Sequence, residues 1–323
     1  MTGRGARSLG ESEAIRVLGK RLAAKGAEVR LGIGDDAALL VPGRGVLVWT
    51  VDSCLEGTHF ERRLLDPGDI ARKALNAAVS DLAAMGARPL GALAALELPS
   101  HFSKSELDAF ARGQAHAARE LGCPVIGGNI ARGARLGVTT TALGVTKRPL
   151  RRDGARPGDE LWLIGSVGLA AAGFALLRSS RRLPMGSAAR RAVLAWRRPR
   201  ALVREGLGLV GRATAAIDVS DGLGGDARHL AEASGVRLVI EERALTRALP
   251  AELADVAALV RRPPLRLALE GGEDYALVAT GPRTRRPSFA RRIGRIEAGR
   301  GALLERRDGK TVALARGFDH LAR

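Results

Sequence analysis

Two adjacent carboxylates, Asp35 and Asp36, follow the glycine turn Gly32-Ile33-Gly34 with apolar sequence on both sides, and this is the feature the chain must accommodate first. In a solvated turn such a pair costs little. If the fold closes around it, a cation or a network of donors must compensate the repulsion. Further acids stand near Gly, Ser or Thr: Asp52, Asp81, Asp218, Asp221 and the pair Glu273-Asp274. Isolated acids placed where strands give way to turns are how a sheet presents oxygen ligands to a hard cation such as Mg²⁺.

The hydrophobic pattern alternates strands and helices in both halves, which makes this an α/β protein. Ser8 and Glu11 have capping-box spacing ahead of a helix over about residues 9 to 25. Val46 to Val51 reads as a buried strand that delivers Asp52 at its carboxyl end. Ile70 to Met85 reads as a helix with Ala74, Ala77, Ala78, Asp81 and Met85 on one face; an acid among small apolar residues is not a solvated surface charge. A strand over Leu90 to Leu96, a helix over Ser103 to Leu121, a short strand Val125-Ile126 entering Gly127-Gly128-Asn129 and a strand over Gly137 to Val145 follow.

The polar, basic segment Lys147 to Asp159, broken by Pro149, Gly154, Pro157 and Gly158, marks a domain boundary, giving domains 1–148 and 149–323. Beyond it come a strand over Leu161 to Ile164, a helix over Gly168 to Leu177, a basic stretch around Arg181 to Arg200, and a helix over Leu202 to Leu209. A strand over Ala215 to Ile217 leads into Asp218, and Ser220 reads as the cap of a helix reaching Ala233, with Asp221 in its first turn. A strand over Val236 to Ile240 and a helix over Pro250 to Leu259 precede Gly271-Gly272-Glu273-Asp274 and a strand over Tyr275 to Thr280. Asp308-Gly309 reads as a hairpin turn.

With 323 residues, 46% of them hydrophobic, the chain suits two domains. Cys54 and Cys123 are too few for a disulfide framework and match no zinc spacing, so the reducing cytoplasm is the expected compartment. No signal peptide is seen, and no apolar run reaches the roughly 18 residues of a membrane span. The net charge of +18 is spread over separate arginine pairs, and aromatics make up only 3% of residues. A single-strand nucleic-acid binder needs stacking rings among its basic groups, so that class is set aside in favour of a solvated arginine surface or a phosphate-bearing ligand.

Gly32-x-Gly34-x-x-Ala37 has the outline of a dinucleotide fingerprint, but Asp35 and Asp36 would face the pyrophosphate with like charge, and Pro42 leaves no room for the helix. No P-loop occurs. ATP, if used, must be held through metal ions and glycine turns.

Taken in order, Gly-Ile-Gly-Asp-Asp (32–36), Asp52 with Glu56-Gly57-Thr58-His59-Phe60, Ser80-Asp81-Leu82-Ala83-Ala84-Met85-Gly86-Ala87, Gly127-Gly128-Asn129, Asp218-Val219-Ser220-Asp221-Gly222-Leu223 and Gly271-Gly272-Glu273-Asp274-Tyr275 resemble the thiamine-monophosphate kinase family over about residues 27 to 321. Arg152-x-Gly154-Ala155-x-Pro157-Gly158-Asp159 and Gly317-Phe318-Asp319-His320 fit its interdomain and closing motifs. The resemblance implies a two-domain α/β fold shared with aminoimidazole ribonucleotide synthetase, whose N-terminal sheet pairs with its twin in a homodimer. It implies transfer of the ATP γ-phosphoryl group to thiamine monophosphate with several Mg²⁺ ions. Carried over by position, Asp36, Asp52, Asp81 and Asp218 are the catalytic acids. The implied metal contacts are Asp36, Thr50, Val51 through its main chain, Asp52, Asp81, Asn129, Asp218 and Asp221. Gly128, Asn129, Arg152 and Ser220 would touch ATP, and His59, Glu273 and Phe318 would hold the thiamine compound.

Three positions depart from the family pattern: Asn129 where an acid is usual, Ala78 for Asn, and Val51 for a hydroxyl residue. Two alternatives follow, another ATP-dependent synthetase of the superfamily and a non-catalytic nucleotide or thiamine-phosphate binder. Turnover with each substrate separates them.

Overall fold

The computed structural model describes residues 11–22, 28–31, 39–41, 44–180, 184–314 and 317. The Gly32 to Ala37 turn, with Asp36, and Phe318 lie outside the described residues. The chain divides into two compact units, residues 1–79 with 89–145 and residues 80–88 with 146–323. Among the described residues no helix is long and apolar enough to cross a membrane.

The first unit contains α1 (Glu11–Leu22), β1 (Val29–Leu31), β2 (Leu39–Leu40), β3 (Val46–Leu55), most of α2 (Pro67–Ala84), β4 (Arg88–Leu98), α3 (Lys104–Leu121), β5 (Val125–Arg132) and β6 (Gly137–Thr146). α3 shows how local sequence sets its elements. Ser103 caps it in a reciprocal capping box with Glu106, Gly122 closes it in the left-handed conformation, and Leu107, Phe110, Ala111, Ala118 and Leu121 form its buried stripe. The main sheet has the order β3-β6-β4-β5, with β4 and β5 parallel.

Two expectations for this unit change. Val46 to Val51 is not a buried strand: β3 is an edge strand, Val48 and Cys54 face the interior, and Trp49 and Val51 are 74% and 64% exposed. An apolar run cannot reveal which of its two faces will be covered, and only alternate residues are covered here. The strand also continues to Leu55, so Asp52 sits inside it and not at its end. β5 likewise runs straight through Gly127-Gly128-Asn129, pairing Gly128 with Ala94 and Asn129 with Ala95, so these glycines are strand and not turn.

The second unit contains β7 (Glu160–Ile164), α4 (Leu169–Arg178), α5 (Ser187–Arg197), α6 (Val203–Leu209), β8 (Ala215–Val219), α7 (Leu223–Ser234), β9 (Arg237–Glu241), α8 (Glu242–Ala248), α9 (Glu252–Val260), α10 (Pro264–Glu270), β10 (Ala276–Gly281), β11 (Arg291–Glu297), β12 (Gly301–Glu305) and β13 (Thr311–Ala313). Its mixed sheet has the order β13-β12-β9-β11-β7-β10-β8. β12 runs parallel to β9, and β7, β8, β10 and β11 pair antiparallel with their neighbours. The hairpin joining β12 to β13 turns at Gly309, as Asp308-Gly309 implied.

Strand alternation gives this sheet two cores. Leu161, Leu163, Ile217, Val219, Ala276 and Val278 pack with α7 residues Leu223, Ala227 and Leu230 on one face. Trp162, Ile164, Ala216, Leu277 and Ala279 pack on the other with Ala83 and Ala84, the last residues of α2. That second face decides the position of the site, because Asp218 follows the parity of Ala216 and is turned toward the α2 terminus.

Candidate active site

Asp218 lies inside β8, one residue beyond the strand end expected from sequence, and is 5% exposed. The hydroxyl of Ser80 donates to its Oδ2 at 2.8 Å. Burial, then the charge of Asp81, pushes the Asp218 carboxyl up to about 7, while the Ser80 hydrogen bond and the Arg152 guanidinium pull the other way. Asp226, in the first turn of α7 and 3% exposed, is pushed up to about 8, by burial first and then by the charges of Asp218 and Asp221. Its Oδ2 accepts the backbone N–H of Asp221 at 3.1 Å.

Asp81, Asp218, Asp221, Asp226 and Arg152 therefore share one electrostatic neighbourhood within the second unit. The cap of α7 is Gly222, with φ 106, and Ser220 and Asp221 precede the helix instead of starting it. A residue at φ 106 cannot be helical, so the turn holds Asp221 outside the first turn, and Asp226 reaches back to fix it.

Sequence reasoning missed Asp226, although the signal was available: it shares the stripe Leu223, Ala227, Leu230, all buried, at helical spacing. An acid on a buried stripe is the same observation that singled out Asp81.

Glu273 lies alongside this turn. Its N–H bonds the Ser220 carbonyl at 2.7 Å, and that of Tyr275 bonds Val219 at 2.8 Å. Gly272 permits the approach, since a Cβ there would lie 2.4 Å from the Ser220 carbonyl oxygen. Glu273 and Tyr275 adopt φ values of 65 and 49, uncommon for side-chain-bearing residues. Asp274 turns away and accepts the N–H groups of Gly168 and Ala170 at 2.6 and 3.1 Å, capping α4.

In the first unit, Thr50, Val51 and Asp52 stand on β3, and the Thr50 carbonyl accepts the Thr141 hydroxyl at 2.8 Å. Val51 is on the exposed apolar face, with its side chain pointing opposite to that of Asp52. His59 folds back so that its Nδ1 accepts the Leu55 N–H at 3.1 Å. Gly128 and Asn129 are exposed on β5. β3 and β5 are the outer strands of their sheet, and two intervening strands put them roughly 14 Å apart across it. Asp52 and Asn129 of one chain thus do not converge within that sheet. Among the described residues, no group of three or more His, Cys, Asp or Glu side chains is gathered closely enough to hold a metal ion alone.

Residues 34–146 match the model of the AIR synthase related protein N-terminal domain, and residues 156–280 match that of the C-terminal domain. A thiamine-monophosphate kinase of Aquifex aeolicus is 35% identical over 97% of this chain and 99% of its own. The solved structure of AaThiL complexed with AMPPCP and TMP is 34% identical, with a TM-score of 0.80 over 99% of this chain and 100% of that one. Thiamine-monophosphate kinase from Stenotrophomonas maltophilia K279a has a TM-score of 0.81 at 34% identity over 94% and 98%. Hydrogenase maturation protein HypE shares the fold at 20% identity and a TM-score of 0.74 over 95% and 98%. Near-complete coverage at this identity, on both AIR synthase related domains, shows that the chain belongs to the thiamine-monophosphate kinase family.

Proposed function

We propose that this chain phosphorylates thiamine monophosphate with ATP, giving thiamine diphosphate and ADP, in the cytoplasm and as a homodimer. The observation that carries the reading is Asp218: a buried carboxyl beside Asp81 and Asp226, whose like charges are opposed by the Ser80 hydroxyl and Arg152. Such a group is costly unless a cation joins it.

The donor set fits Mg²⁺. It is oxygen only, and because no three acids among the described residues enclose an ion unaided, phosphates and water would have to complete the shell, as is usual for Mg²⁺. Asp81, Asp218 and Asp221 would hold it in the second unit, and Thr50, the Val51 carbonyl, Asp52 and Asn129 in the first, with Asp36 added. The spacing of β3 from β5 favours more than one ion. When bound, Mg²⁺ supplies charge neutralisation for the phosphates.

The acceptor phosphate is already anionic, so no general base is required and the difficulty is to bring two polyanions together. Ser80 orients Asp218, and Asp226 fixes Asp221, so the acids are placed before substrate arrives. Arg152, Gly128, Asn129 and Ser220 would contact ATP. His59, Glu273 and Phe318 would hold the thiamine moiety.

The exposed apolar side chains of Trp49, Val51 and Leu55 on β3 and Leu93 on β4 support the homodimer: a sheet face left bare in one chain is a surface for another copy. The decisive experiment incubates the protein with ATP, Mg²⁺ and thiamine monophosphate. Thiamine diphosphate and ADP in equal amounts are expected; binding without turnover, or ADP formed only with a formylglycinamidine-type substrate, would refute the proposal.

A further inference from the structure

Gly173 is where α4 and α5 meet backbone to backbone: a Cβ there would lie 2.0 Å from the Ala192 carbonyl oxygen. One turn further along α5, this close approach stacks Trp196 on Phe174, with ring centroids 4.9 Å apart and planes inclined by 26°. Arg178 covers Phe174, its guanidinium carbon 5.6 Å from the ring centroid. Trp196 is 1% exposed, so its single polar atom needs an acceptor. The acceptor is Glu273, with indole Nε1 donating to Oε2 at 2.5 Å.

Glu273 is thus held twice, by its backbone to Ser220 beside the acidic turn and by its carboxylate to a rigid, buried indole. A left-handed glutamate persists only where its surroundings enforce it. Nothing in the sequence pattern marks Trp196, because α5 lies in a basic stretch without a strand or motif beside it.

We infer that Trp196 is a positioning residue of the active site: through its indole N–H it directs the Glu273 carboxylate toward the cationic organic moiety of the phosphorylated substrate. The inference rests on the reading of Glu273 as a substrate contact. A tryptophan locked by stacking confers little freedom on the carboxylate it holds, and a pre-oriented carboxylate binds a cation without first being ordered.

The test uses the full-length enzyme with Trp196→Phe, which keeps the ring on Phe174 and removes the N–H, compared with Glu273→Gln and the double variant. Loss of a hydrogen bond to a charged group is worth roughly tenfold, so KM for thiamine monophosphate is expected to rise by about that factor, with smaller changes in kcat, KM for ATP and Tm. The double variant is expected to be no worse than Glu273→Gln alone. An unchanged KM in Trp196→Phe beside a raised one in Glu273→Gln would overturn the inference alone. An unchanged KM in Glu273→Gln would remove the underlying reading of Glu273. Parallel loss of Tm, kcat and both KM values in Trp196→Phe, or additive effects in the double variant, would reduce Trp196 to packing. Should Trp196→Phe fail to fold, the ¹⁵N-indole resonances of the native protein carry the test: one is expected to move on adding thiamine monophosphate and to shift in Glu273→Gln, and no movement would overturn the inference.

Discussion

The hydroxyl of Ser80, near the end of α2, donates to Asp218 Oδ2 in β8 across 138 positions of sequence, and this hydrogen bond holds the Asp218 carboxyl down alongside the charge of Arg152. Ser80→Ala removes that donor and leaves a buried carboxyl oxygen short of a partner, at a cost of about 1–3 kcal/mol. The Asp218 carboxyl then rises further, so the acid limb of kcat/KM at limiting Mg²⁺ is expected to move to higher pH. Ser80→Thr, which keeps the hydroxyl, is expected to retain the native limb. Identical pH profiles for all three proteins would show that the bond does not tune the acid.

The raised acids also set the sign of a stability change. Burial and neighbouring charge raise Asp218 to about 7 and Asp226 to about 8, above the 3.8 of an ordinary aspartate, so the folded state binds more protons than the unfolded one. Their ionisation therefore destabilises the fold: the penalty is absent below about pH 4 and grows as pH rises through 7 to 8. In EDTA at pH 8.5, Asp226→Asn is expected to melt above the native protein, by an amount on the order of a few kcal/mol of stability, and the difference should vanish near pH 4. Mg²⁺ should raise the native Tm and narrow the gap. A variant less stable than native at pH 8.5 would mean that the Asp221 hydrogen bond outweighs the charge repulsion.

Trp49 and Val51 lie on the same bare face of β3. Trp49→Glu with Val51→Glu would place charges in the proposed interface, where burying them unpaired costs several kcal/mol. Light scattering is expected to give twice the 33.9 kDa chain mass for the native protein and the single mass for the variant. A native monomer with full activity would end the dimer proposal.

The α/β alternation and the acids were legible because strand and helix periods and Gly-flanked carboxylates are local features. Asp81 could be singled out from its Ala-rich face, and Asp226 could have been by the same rule. What was not legible depended on partners distant in sequence. The bare face of β3 follows from where helices fall, the strand identity of Gly128 from pairing with Ala94, and the Trp196 bond to Glu273 from the close crossing of α4 and α5. α5, α8, α10 and β11 are arginine-rich or short segments whose periodicity is weak, and packing rather than propensity forms them.

Asn129, exposed on β5, stands where an acid is usual in the family motif. Its amide oxygen can ligate Mg²⁺ without contributing charge, which weakens the cation site while repelling the ATP phosphates less. These effects oppose each other. Because Mg²⁺ sites draw on carboxylates and substrate phosphates together, the metal effect is expected to prevail, and Asn129→Asp should reach half-maximal rate at a lower Mg²⁺ concentration than the native enzyme. Mg²⁺ titrations of both proteins at fixed ATP measure this directly, and an unchanged or higher requirement in Asn129→Asp would take Asn129 out of the metal set.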